Sequence, residues 1–326
     1  MNSRGFLDVV SPERFYGWAI IENQTITPEI TIHLDTQELC KVSASLHRPD
    51  VAALERHPTG LCGFEATEFD QAVYDQATVV RAFIAQTGVE LANSPFYLRH
   101  KMSDFEVDFE PLVFVHLPKT AGTSFRYAIE SVVGAEHVLK DYERESSETS
   151  ALIQESIYSS RSSLLVPQII QRNIKFLTGH FKTSRYLPVL DTQVRWCTFL
   201  RHPVQRVISE YHHFLRNYDC TESLESFCRK PFFRNRQSQL LQGLELEDFF
   251  FVGITELYDE SIAEFNRLTG LNIPCLRENT FRAKLSEQYQ VDNELLNLIT
   301  ENNIDDFRLY ERVRCASRSW RRTEAD

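Results

Sequence analysis

The chain has 326 residues, with 35 Lys and Arg against 46 Asp and Glu and a formal net charge of −11. That balance lacks the basic footprint of a general nucleic-acid binder, and no stretch approaches the ~18 apolar residues of a membrane span. The length is enough for a sizeable core in two domains.

From the start, Met1 to Asp8 carries no apolar h-region, so no secretory leader is expected. Short alternating or apolar runs then follow one another: Ile30–Leu34, Lys41–Leu46, Cys62–Ala66 and Thr78–Ala85. Gly, Pro, Asp and Asn separate them, which predicts a small β-sandwich over residues 1–103, with one short helix near 47–55. The stretch from Lys101 to Pro111 is polar and acidic and fits a linker. Seven cysteines lie scattered without Cys-x-x-Cys spacing, which points to reduced thiols and gives no zinc site. Cys197, in an apolar run, reads as packing.

From residue 104 the pattern changes to strands alternating with helices, the signature of a parallel sheet. Strands are expected near 112–117, 174–178, 194–200 and 249–254. Helices are expected near 123–133, 203–217, 257–268, 292–301 and 303–315, and residues 140–165 read as a polar loop-and-helix excursion over the active site. The fold class is therefore α/β, a P-loop-like parallel sheet flanked by helices over 104–326, with the small β-rich domain ahead of it.

Two motifs carry the chemistry. The first is Pro118-Lys119-Thr120-Ala121-Gly122-Thr123-Ser124 after the apolar run Leu112–Leu117. A strand, a tight loop and a helix start would aim backbone N–H groups and a positive helix end at one spot. Lys119 adds a charge, and Thr120, Thr123 and Ser124 add hydroxyls, with Thr123 and Ser124 suited to the helix start. It is not a Walker A loop, because Lys119 precedes the single glycine. The second motif runs from Phe199 to Tyr211: Arg201 ends an apolar strand, Pro203 stands at a helix start, and Arg206, Ser209 and His213 share one helical face. A guanidinium and a hydroxyl so placed suit a second phosphate.

Together, Pro-Lys-Thr-Ala-Gly-Thr-Ser and Arg-x-Pro-x-x-Arg-x-x-Ser-x-Tyr resemble the two nucleotide-binding motifs of sulfotransferases that use 3′-phosphoadenosine 5′-phosphosulfate (PAPS). The likeness covers about residues 110–315 and is nearest the carbohydrate branch that includes heparan sulfate 2-O-sulfotransferase and bacterial relatives. Thr178-Gly179-His180-Phe181 resembles the Gly-His segment of that branch, Phe251–Glu256 with Asp259-Glu260-Ser261 its late strand–helix unit, and Asn235–Leu240 a segment near the nucleotide. Gly5–Asp8 with Gly17-Trp18-Ala19 is similar to a small module on bacterial polysaccharide-modifying enzymes. Golgi members of the resembled family usually carry a membrane anchor, and this chain is expected to depart from them.

The resemblance implies sulfuryl transfer from PAPS to a hydroxyl of a glycan or other acceptor, without a metal; the scattered thiols point to a cytoplasm, that of a bacterium if the likeness to bacterial relatives holds. Lys119, Thr120, Ala121, Gly122, Thr123 and Ser124 would hold the 5′-phosphosulfate, and Arg201 and Ser209 the 3′-phosphate. Lys119 would also assist the leaving group. A base is needed, and His is the side chain that titrates near neutrality. The resemblance assigns that role to His180. His116, just before the loop, ranks second, though a strand histidine satisfied by a neighbour is the plainer reading. Tyr127 occupies the place where other sulfotransferase branches carry a Glu base, and Glu130 ranks low. His202 reads as a local cap; His212 and His213 read as exposed or packed. The basic clusters Arg229, Lys230, Arg234, Arg236 and Arg312, Arg314, Arg318, Arg321, Arg322 read as solvated faces unless the acceptor is a polyanion. A nucleotide phosphotransferase and a non-catalytic glycan-binding protein are the alternatives.

Overall fold

The computed structural model describes residues 2–22, 26–53, 57, 59–191, 193–277 and 289–317. It divides into two compact units, Met1–Glu106 with Ala151–Gln171, and Val107–Ser150 with Arg172–Asp326.

The first unit holds β1 (Ser3–Val10), β2 (Phe15–Ile21), β3 (Glu29–Leu34), β4 (Gln37–Ser43), β5 (Leu46–His47), α1 (Pro49–Ala53), β6 (Leu61–Ala66), α2 (Gln71–Gln76), β7 (Val79–Ile84), β8 (Val89–Glu90) and β9 (Phe96–Tyr97). Two antiparallel sheets form, in the orders β1-β2-β6-β5 and β4-β3-β7-β8, with β9 also on β7. Leu7, Phe15 and Phe64 of one sheet share a core with Ile30, Ile32, Val80 and Ile84 of the other. Alternation along β3 and β7 makes this possible, since every second side chain faces inward. Of the helix expected over 47–55, Pro49–Ala53 is observed; residues 54 and 55 lie outside the described residues.

The second unit begins with β10 (Leu112–Val115), α3 (Gly122–Val133) and β11 (Val138–Asp141). The chain then visits the first unit through α4 (Ala151–Ile153) and α5 (Leu165–Gln171), where the Ser163 hydroxyl accepts the Tyr97 N–H at 3.0 Å. It returns with β12 (Phe176–Gly179), α6 (Thr183–Leu190), β13 (Arg195–Leu200), α7 (Pro203–Asn217), α8 (Leu224–Arg229), α9 (Arg236–Leu240), β14 (Phe251–Ile254), α10 (Tyr258–Thr269), α11 (Asn293–Asn302) and α12 (Ile304–Ser317). The five strands are all parallel, in the order β11-β12-β10-β13-β14. Every residue of β10 and β12 is buried, as expected of a sheet covered on both faces. Phe114, Phe199 and Phe251 pack with Phe125 of α3 and Phe265 of α10 on one of those faces. Four of the five strands fall where the apolar runs put them. β11, short and half polar, is the one that hydrophobic pattern did not reveal. Among the described residues no helix is long and apolar enough to cross a membrane.

Candidate active site

Register brings the motifs together. Val115 of β10 stands opposite Gly179 of β12 and Thr198 of β13, so the loop at Lys119, the Gly179–His180 step and Arg201 all leave the carboxyl edge of one sheet. In open α/β sheets this edge is where ligands bind.

The first loop is wound more tightly than its residues foretell. Lys119 and Ala121 both adopt left-handed backbone, at φ 67° and 66°. Such a conformation is costly for a residue with a Cβ, and it gathers at ligand clamps. Ala121 is the residue before α3, and no side chain caps the helix; Thr123 and Ser124 lie inside the first turn rather than at the cap. The first helical bond is made by Phe125 N–H to the Ala121 carbonyl at 3.3 Å, so the N–H groups of Gly122, Thr123 and Ser124 precede the ladder. The Thr120 side chain is fully buried and its hydroxyl donates to the Leu117 carbonyl at 2.9 Å, which commits that proton to the loop itself. Thr120 therefore offers an anion its backbone, not its hydroxyl. Gly122 is required for an unexpected reason. A Cβ there would stand 2.0 Å from His116 Cδ2 and 2.4 Å from Nε2, because the imidazole fills that space.

Lys119 is half-buried, and among the described residues no carboxylate pairs with its amino group. Burial, followed by the nearby guanidinium groups of Arg216 and Arg201, lowers its pKa; only Glu210 opposes them. Arg201 donates to the Lys119 carbonyl at 3.0 Å and so ties the two motifs together. Its own backbone is bracketed by Gln237, whose amide accepts the Arg201 N–H at 2.9 Å and donates to the Arg201 carbonyl at 3.0 Å. The Asn235–Leu240 segment thus positions the strand end.

Arg206, on the helical face it shares with Ser209 and His213, turns inward. Its side chain is fully buried, and it donates to Glu210 and to the Phe233 carbonyl at 3.1 Å. It is a structural cation rather than a ligand for a second phosphate. Ser209, on the same helix, is nearly buried beside Glu210. His202 does not cap with its side chain; its backbone N–H donates to Glu256 at 2.9 Å. His213 contacts Asn217 and the Tyr218 ring. Glu130 lies 3.7 Å from Arg126 and 3.5 Å from Lys140. Cys197 is buried, and burial raises its thiol pKa, as suits packing. Arg318, Arg321 and Arg322 lie outside the described residues.

The histidines meet at the end of β11. Gly179 lets Asp141 approach, since a Cβ would stand 1.9 Å from the Asp141 carbonyl oxygen. That oxygen accepts the His180 N–H at 2.9 Å. The His180 ring meets His116 edge-on at 4.6 Å and Tyr142 at 4.9 Å. Burial, then the charges of Arg236 and Arg126, pushes His180 down to about 4 from an ordinary 6.5, so the ring is neutral near neutral pH. His116 is buried and held well below its usual range, mainly by burial and then by His180. Asp141 and Tyr142 escaped the sequence reading. A short edge strand gives little periodic signal, and the only clue was the aromatic after an apolar–polar run.

Residues 105–252 match the sulfotransferase family. The match runs from just before β10 into the start of β14, under half of the chain, and singles out no branch within that family. A solved sulfotransferase from Alicyclobacillus acidocaldarius is 15% identical, covering 60% of this chain and 92% of that one, with a TM-score of 0.36. A mouse sulfotransferase complexed with PAP is 11% identical over 68% and 74%, with a TM-score of 0.35. A retinol dehydratase in a complex with retinol and PAP is 14% identical over 71% and 74%, with a TM-score of 0.31. No curated protein matches the sequence.

Proposed function

We propose that residues 104–326 transfer a sulfuryl group from PAPS to a hydroxyl of a carbohydrate acceptor, with residues 1–103 as an accessory domain. The observation that carries this reading is the loop itself: Lys119 and Ala121 wind left-handed and set the N–H groups of Gly122, Thr123 and Ser124 ahead of the helix ladder, with Lys119 and the Arg201 guanidinium beside them. N–H groups at a helix start beside two cations suit an anion of several charges. The residues therefore fit a phosphosulfate with a second phosphate.

PAPS, when bound, supplies the sulfuryl group and leaves as the bisphosphate PAP. The loop N–H groups of Thr120 to Ser124 hold the 5′ end, and Arg201 and Ser209 hold the 3′-phosphate. Lys119 neutralises charge that grows on the leaving oxygen, an interaction worth most in the transition state. His180, already neutral, takes the proton of the acceptor hydroxyl at a ring nitrogen. Bound negative charge beside His180 raises its proton affinity and makes it a stronger base. Asp141 fixes the backbone of His180 during this step.

Transfer of radiolabel from sulfur-labelled PAPS to a panel of glycans and small alcohols tests the reading. Labelled glycan that disappears in Lys119→Ala and His180→Ala is the expected result. No labelled product with any acceptor, together with no binding of PAP, would overturn it.

A further inference from the structure

Tyr142, His116 and Gly122 form a linked set whose role the sulfuryl-transfer reading leaves unassigned. The Tyr142 hydroxyl lies 3.0 Å from His116 Nδ1. Burial pushes the phenol up to about 12, so its proton stays on. Arg126, a donor, and Thr178, whose hydroxyl can donate or accept, also face the phenol oxygen. A half-buried phenol O–H needs an acceptor; His116 Nδ1 stands at hydrogen-bond distance, whereas Thr178 Oγ1 makes no hydrogen bond. Donation from Tyr142 leaves the imidazole proton on Nε2.

That nitrogen sits at a telling place. It lies 2.4 Å from where a Cβ of residue 122 would stand, at the first residue of α3 and beside the left-handed Ala121. The ring cannot swing away, because it is held edge-on to His180 at 4.6 Å and stacked on Phe114 at 5.7 Å, while the His116 N–H donates to the Gly179 carbonyl at 2.9 Å. Besides Tyr142, the charged or titratable groups that face it are His180, Arg126 and Lys119, and each of these three disfavours a charge on it.

We infer that His116 is a neutral Nε2–H donor built into the anion loop, its tautomer set by Tyr142, and not an alternative base. The missing side chain at Gly122 is replaced by an imidazole delivered from the preceding strand, which gives the loop one side-chain donor beside its backbone N–H groups. The ligand is an oxyanion, and within the sulfuryl-transfer reading, on which this inference rests, it is the 5′-phosphosulfate. Tyr142 is the positioning residue.

Two measurements with PAP test this. Nitrogen–proton correlation spectra of the imidazoles should show His116 as a single Nε2–H tautomer down to about pH 5, below the usual histidine range, and its signal should move when PAP is added. Tyr142→Phe should introduce the second tautomer. In calorimetry, His116→Phe should weaken PAP about tenfold, the loss expected of one hydrogen bond to a charged group. His116→Gln, which restores an amide donor at similar reach, should recover most of it. An Nδ1–H tautomer, a signal unmoved by bound PAP, or full PAP affinity in His116→Phe would overturn the inference. The spectra use the unsubstituted protein, so the test survives a variant that does not fold. Failure of PAP to bind the unsubstituted protein would sink the sulfuryl-transfer reading, and this inference with it.

Discussion

Gly179→Ala is the substitution whose effect the structure specifies most sharply. The new Cβ would stand 1.9 Å from the Asp141 carbonyl oxygen and 2.5 Å from its carbonyl carbon, against an ordinary contact of 3.4 Å or more. Backbone must therefore give way by about 1.5 Å. What yields is the end of β11, where Asp141 pairs with Gly179 and takes the His180 N–H. Overpacking costs about 1–3 kcal/mol, and one lost backbone hydrogen bond adds about 1 kcal/mol. A loss of about 2–4 kcal/mol should lower the melting temperature by about 5–15 °C in a unit of this size. Gly270→Ala serves as the control: its φ is +71° and no atom lies within 4 Å of the added carbon, so only the left-handed backbone is charged, about 1–2 kcal/mol. Differential scanning calorimetry reads both. Turnover should also fall further than PAP affinity in Gly179→Ala, because Asp141 and Tyr142 position the histidines rather than the loop N–H groups. If Gly179→Ala melts within about 2 °C of the unsubstituted protein, or above Gly270→Ala, the close approach at β11 is not what the glycine serves.

Lys119→Ala should depress single-turnover chemistry more than PAP affinity; unchanged chemistry would make Lys119 a binding residue only. Arg201→Ala should weaken PAP by about tenfold or more, and adenosine 5′-phosphosulfate by less but measurably, because Arg201 also holds the Lys119 carbonyl; equal losses in calorimetry would remove its 3′-phosphate assignment. His180→Ala should leave PAP binding almost intact and cut turnover about 10²–10⁴-fold. The acid limb of kcat/KM should rise through about 4, and that of kcat higher, since bound negative charge favours the protonated ring; a limb that survives in His180→Ala would move the base elsewhere. The unfolded ring binds a proton below its ordinary 6.5 and the folded ring only below about 4, so stability from His180 is present above 6.5 and lost as pH falls toward 4. Chemical denaturation across that interval should show it weakened in His180→Ala. Arg206→Ala should destabilise by about 3–5 kcal/mol, because the Glu210 carboxylate would remain buried without its partner, and a loss under 1 kcal/mol would contradict the buried pairing.

The amino-acid sequence by itself determined the elements whose signals are local. Apolar runs placed β10, β12, β13 and β14, and helical spacing with Pro203 at a first turn placed α7 over Pro203–Asn217. The order strand, Lys119 loop, helix was legible because it lies within 22 consecutive residues, Leu112 to Val133. So was the position of Arg201 just past a strand end. Tertiary structure alone decided what depends on residues far apart in the chain. Gly122 was legible as part of the anion loop, but not that its bare Cα makes room for His116, nor that the left-handed residues are Lys119 and Ala121 and not the glycine. Arg206 shared a helical face suited to a phosphate with Ser209 and His213 until Phe233, 27 residues on, supplied a carbonyl and Glu210 a carboxylate. β11 has too few residues to show a period, so its pairing with β12, and with it the meeting of Tyr142 with two histidines, exists only once the sheet has formed. Residues 151–171 belong with the first unit, where Ser163 accepts the N–H of Tyr97, 66 residues earlier in the chain. Local pattern states which residues want burial or a turn; which partner satisfies each of them is a property of the closed chain.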